Sequence, residues 1–222
     1  MKMSVEPTAG AARLLPLSGA AAVALVVVSF AGLGGNTPGS GDSAAKISAY
    51  YDSHEVREMI AAFALAASAP LFVIFGVILA LSLWQAADRQ RPLWQGTLAL
   101  GSAVAGVGFL IGALIHVALT QTANNSGVSG GALQALAGLD ESSWVAFNSG
   151  LGVMMLGAAG ALLASKAHPV LGWIALVAGV ALFIPGADFV ALIVSGLWII
   201  TTSVRLFRAS GMGSFARQPE LA

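Results

Sequence analysis

A chain of 222 residues with 57% apolar and only 9% charged residues, and a mean hydropathy of +0.86, has too little polar surface to cover a water-facing globule; an ordinary soluble domain carries about 25% charge. Ten Lys and Arg balance ten Asp and Glu, which excludes the strong positive field of a nucleic-acid binder. The absence of cysteine removes disulfides, thiolate nucleophiles and Cys-ligated metal clusters. The composition predicts an all-α, polytopic transmembrane helical bundle, a single integral membrane domain over 1–222, with about six spans at roughly 30 or more residues per span and loop.

The first apolar run, 14–35, follows Lys2 and Arg13. It exceeds the roughly 7–15 apolar residues of a secretory signal peptide, so it reads as a span that is retained. An outer loop, 36–57, opens with Asn36-Thr37-Pro38-Gly39-Ser40-Gly41, which is turn chemistry. Ala44, Ile47, Tyr51 and His54 then fall at helical spacing, predicting a short amphipathic surface helix. Asp52 or Ser53, with Glu55, is placed to cap the second span, 58–84, as a capping box does. Pro70 lies inside that span and frees one carbonyl.

A short basic loop holding Asp88, Arg89 and Arg91 between Trp84 and Trp94 precedes the third span, 95–120, whose Gly108-x-x-x-Gly112 permits close helix approach. The second outer loop, 121–143, contains Asn124, Asn125, Asp140 and Glu141; its stretch 131–139 fits a surface helix, and Asp140 is placed to cap the fourth span, 144–165. Gly157 and Ala161 in that span share the small-x-x-x-small spacing. From 169 to 206 a continuous helix would be about 57 Å long, nearly twice the hydrocarbon thickness, so it must turn. Pro185-Gly186-Ala187-Asp188 is the breaker, dividing a short fifth span, 169–184, from a sixth, 188–207. Six crossings place Lys2, Arg13, Arg89, Arg91, Lys166, Arg205, Arg208 and Arg217 on the cytoplasmic side with both termini, and only Lys46 and Arg57 outside. Asp42, Asp52, Glu55, Glu58, Asp140, Glu141 and Asp188 then fall on the outer side.

Candidate ligand-binding residues gather at that outer end: His54, Glu58, His116, Asn148 and Asp188. His54 and Glu58 are four apart on one helix face, as a metal pair or a proton-transfer pair requires, and His116 offers a second imidazole. A solvated loop with ordinary caps is the simpler account of the same residues. A rhomboid-type serine protease is disfavoured, because Phe147-Asn148-Ser149-Gly150 lacks the first glycine of G-x-S-G and the sixth span contains no histidine. No second imidazole sits at matching depth for an intramembrane haem, no phosphate-binding loop occurs, and no carboxylate lies near the midplane as coupled carriers require. The residues name no cofactor and no metal.

The layout of Ala44-Ala45-Lys46-Ile47-Ser48-Ala49-Tyr50-Tyr51-Asp52-Ser53-His54 before the second span, Leu139-Asp140 before the fourth, and Gly172-Trp173, Trp198 and Ser203-Val204 in the last hairpin resembles uncharacterised multi-pass membrane proteins of high-GC Gram-positive bacteria. The resemblance implies a plasma-membrane location and transfers no catalytic residue. The sequence reading is therefore a non-enzymatic binding, accessory or scaffold bundle, whose partners are the lipid bilayer and a second copy or another membrane protein. A small-molecule transporter or channel, with a lipid-like ligand entering near Pro70, is the alternative, and an outer-face metal-dependent enzyme a lesser one.

Overall fold

A computed structural model of the chain describes residues 13–34, 37–84, 91–123, 125, 127–166 and 168–215. Lys2, Asp88, Arg89, Asn124 and Arg217 lie outside the described residues. Among the described residues all regular structure is helical. The first helix enters through a 3-10 turn at Leu15–Leu17, continues as α1 (Ser18–Val27) and leaves through a π-helical stretch at Val28–Gly34. The chain then forms α2 (Ala44–Trp84), α3 (Arg91–Ala123), α4 (Gly130–Ser142), α5 (Trp144–Ser165), α6 (Pro169–Ala181) and α7 (Asp188–Phe215).

Five of these segments are long and apolar enough to cross a membrane, and α6 is a shorter apolar helix. At 1.5 Å per residue its 13 residues cover about 20 Å, less than the roughly 30 Å of hydrocarbon. It runs antiparallel to α5: Gly172 lies against Leu162 and Leu163, Gly179 against Met155 and Leu156, and Gly152 faces Phe183. The turn after α6 is closed by Gly186 at φ +86°, a conformation that favours glycine. The Gly186 N–H donates to Asp188 Oδ1 at 3.0 Å.

Two helix caps differ from the sequence expectation. The surface helix and the second span are one continuous α2, and its cap is Ser43, whose Oγ accepts from the Lys46 N–H at 3.3 Å. Asp52 and Ser53 are interior to that helix; Ser53 Oγ donates back to the Ala49 carbonyl at 2.8 Å, the local bond such residues make inside helices. Likewise Asp140 lies within α4 and does not cap α5, which starts after Ser143 without a side-chain cap.

The tightest helix pair is α3 with α5. A Cβ added at Gly101 or Gly108 would strike the backbone of Met154 or Phe147, and one added at Gly150 or Gly157 would strike that of Ala105 or Leu98. The seam therefore repeats every seven residues on each helix, the spacing at which the same face returns in a left-handed crossing. Gly108 and Gly157 belong to it. Gly112 does not: its added Cβ would meet only Leu65 and Ser143 at ordinary contact, 3.5 Å. Ala161 is buried in the helix core. Phe72, Phe75, Phe109, Phe147, Met154 and Met155 fill the centre.

Candidate functional site

The described acids, Asp42, Asp52, Glu55, Glu58, Asp140, Glu141 and Asp188, all lie at the end of the bundle where α2 begins and α3 ends. A cap forms there. Ser129 starts α4 by accepting the Ala132 N–H on its Oγ at 3.3 Å, and α4 folds back over α2 and α3. Ile47 and Tyr51 of α2, Leu119 and Ala123 of α3, and Leu133 and Ala137 of α4 make a small separate core. Polar ties fasten its rim: Ser40 Oγ to Glu141 at 2.9 Å, Gln134 Nε2 to the Asp42 carbonyl at 3.0 Å, and Ser48 Oγ to the Ala123 carbonyl at 2.9 Å. Outside the apolar segments, the Lys46 ammonium at 2.6 Å holds the Asp42 carboxyl below its usual range.

Beneath this cap lies a buried ionic chain. Glu58 is 0% exposed. Its Oε1 accepts from Arg57 Nη2 at 2.8 Å and from the Tyr50 hydroxyl at 3.0 Å, and its Oε2 faces His116 Nε2 at 3.0 Å. His116 Nδ1 sits 3.2 Å from both oxygens of Asp140. One imidazole ring thus ties α3 to α2 and to α4, and the guanidinium of Arg57 lies against Glu58. Tyr51 packs edge-on to the imidazole at 5.8 Å, with its hydroxyl buried and unpartnered.

The sequence candidates divide into three places. Glu58 and His116 meet in the ionic chain. His54 turns away: its ring stacks on Tyr50 at 4.6 Å and its Nδ1 lies 2.8 Å from the Tyr50 carbonyl oxygen. The three side chains do not converge, and among the described residues no group of three His, Asp or Glu is arranged to hold a metal ion. Asn148 and Asp188 lie elsewhere, both lining an apolar crevice of 540 Å³ between the first helix, α5 and α7. Asn148 is 4% exposed and its amide Oδ1 has no hydrogen-bond partner. Pro70 is exposed and does not line this crevice.

Arg57, Tyr50 and Asp140 were not among the candidates, although Asp140 had been placed as a cap. Phe30 was missed as well. It lies on the π-helical stretch, tilted against Phe147 at 6.2 Å, and lines both the crevice and a cavity of 90 Å³ bordered by Ser29, His116, Asp140 and Ser143. Single π-turns recur at functional positions, but no spacing in the sequence announces one. A 540 Å³ crevice with few polar groups falls within the usual range of small-molecule sites, about 300–1,000 Å³. No known protein family, curated protein or solved structure matches the chain.

Proposed function

We propose that this chain is a multi-pass plasma-membrane protein, with six crossings and both termini cytoplasmic, that binds an amphipathic molecule without transforming it. The observation that carries this reading is the Asn148 amide oxygen, buried and unpartnered in the wall of an apolar crevice. A polar group left unpaired in hydrocarbon costs about 1–3 kcal/mol. A hydrocarbon chain filling the crevice leaves that cost standing, whereas a ligand bringing a hydrogen-bond donor removes it by drawing the Asn148 amide, whose oxygen is closed off from the crevice in this structure, round to face it. The Asp188 carboxylate on the same wall also accepts, so the fitting ligand carries an apolar tail and a hydroxyl- or amine-bearing head. The hydroxyls of Ser82, Ser102, Thr201 and Thr202 are taken by carbonyls of their own helices and those of Ser195 and Ser203 are buried without a partner; the balance favours binding over a polar path for solutes.

Full-length protein in detergent, equilibrated with a radiolabelled monoacylglycerol or with the methyl ester of the same fatty acid, tests the reading. Asn148→Leu is expected to lower monoacylglycerol retention about ten-fold and leave the ester unaffected, as the loss of one buried hydrogen bond predicts. Equal retention of both compounds by the unaltered protein, or no loss in the variant, would sink the proposal. Because the chain has no cysteine, single cysteines test the topology: Ser40→Cys should react with a membrane-impermeant maleimide on intact cells, and Lys166→Cys only after permeabilisation.

A further inference from the structure

The opposite end of the bundle carries a different cavity. Its volume is 360 Å³, and α2, α5, α6 and α7 converge on it. Leu79, Leu83, Leu162 and Leu206 supply apolar wall, while His168 and Arg205 open onto it. Neither side chain has a hydrogen-bond or ion-pair partner among the described residues. No described acid lies at this end of the bundle. The first turn of α6 starts at the same cavity with no side-chain cap, so its N–H groups add positive potential to that of Arg205. The imidazole of His168 donates at least one N–H in either protonation state.

We propose that this cavity is a binding site for an anionic phospholipid, with the phosphate between Arg205 and His168 and one acyl chain against the leucines. Charge argues for an anion, since Arg205 has no counter-charge among the described residues. The leucine wall argues for a lipid over a free phosphate, because a hydrated ion would leave that apolar surface uncovered. Basic pockets between membrane helices on the cytoplasmic side hold anionic headgroups by the same combination. The inference is independent of the crevice at Asn148, which shares no lining residue with this cavity.

Native mass spectrometry of the full-length protein, equilibrated with phosphatidylglycerol or phosphatidylcholine of identical chains, decides it. Phosphatidylglycerol is expected to be retained at least about five-fold over phosphatidylcholine, and Arg205→Gln to remove that preference, the effect of one cation near a membrane surface. Arg208→Gln, one turn along α7 and outside the cavity lining, should change the preference less than about two-fold. Leu83→Trp, which fills the apolar part and keeps Arg205 and His168, should lower retention of both lipids; it keeps the test open if Arg205→Gln unfolds in detergent. Equal retention of the two lipids overturns the proposal, as does a loss in Arg208→Gln as large as in Arg205→Gln, which indicates diffuse attraction. Displacement of phosphatidylglycerol by an equal concentration of glycerol phosphate overturns it too, since the site would then select the phosphate alone.

Discussion

The two ends of the bundle treat charge in opposite ways. At the His116 end, Glu58 and Asp140 are closed into a chain with His116 and Arg57 under a helical cap, and Lys46 answers Asp42. At the Arg205 end, Lys166, His168, Arg205 and Arg208 stand without a single described acid. Buried charge is costly unless it is paired and hydrogen-bonded, so the first end spends its charges on holding three helices in one arrangement. Charge at a helix end beside water or headgroups carries little of that cost, so the second end can leave its charges unpaired among the described residues. Composition alone, balanced at ten of each sign, conceals this division entirely.

Several variants break or sharpen the contrast. The largest loss is expected from Glu58→Ala, which leaves His116 and Arg57 without their shared carboxylate; breaking a buried ion pair costs about 3–5 kcal/mol, read as a fall in the unfolding midpoint in detergent. A loss below about 1 kcal/mol would mean that the cap, and not the ionic chain, holds this end. Next comes Gly108→Ala, where the added Cβ meets the Phe147 backbone and overpacking costs about 1–3 kcal/mol; Gly112→Ala, at ordinary contact distance, should be nearly neutral. Asn148→Leu is expected to raise stability by about 1 kcal/mol in protein free of ligand, because it deletes an unpaired buried amide. Arg205→Gln should stay within about 0.5 kcal/mol of the unaltered protein, in contrast to Glu58→Ala.

The smallest effect belongs to the rim pair. Lys46 lowers the folded-state affinity of Asp42 for its proton, so the pair's contribution is fully present above the unfolded carboxyl pKa and is lost only as pH falls through the lower folded value. Stability should therefore show no slope from this pair between about pH 5 and 8, and Lys46→Ala should leave the midpoint unmoved at neutral pH. A measurable slope in that window that disappears in Lys46→Ala would contradict the pairing.

The apolar runs made the long helices legible because hydrocarbon thickness sets a length that composition reports directly. The join between the surface helix and α2 was not legible: Asp52, Ser53 and Glu55 have the local chemistry of a cap, and only the absence of any break between His54 and Glu58 in three dimensions turns them into ordinary helix residues. Ser43, the residue that does cap α2, precedes two alanines and a lysine and gives no capping-box signal. The site was half legible. Helical spacing put His54 and Glu58 on one face, but the face says nothing about which neighbour a side chain reaches; His54 lies back on Tyr50, and Glu58 crosses to His116, which is 58 residues away in the chain. The four-residue spacing from Gly108 points to Gly112, whereas the α3–α5 seam repeats at seven and uses Gly101.

Pro70 divides α2, which runs from Ala44 to Trp84, into unequal arms. The arm from Pro70 to Ala44 is about 39 Å long and the arm to Trp84 about 21 Å. Proline removes one rung of the hydrogen-bond ladder and is the weak point for bending a helix. A flexure of 5° there swings the Ala44 tip by about 3 Å, and the Trp84 tip by little more than half as much. Because α4 is fastened to the long arm through Tyr51 and the Glu58–His116–Asp140 chain, a bend at Pro70 would carry the cap with it, and would displace that end nearly twice as far as the other.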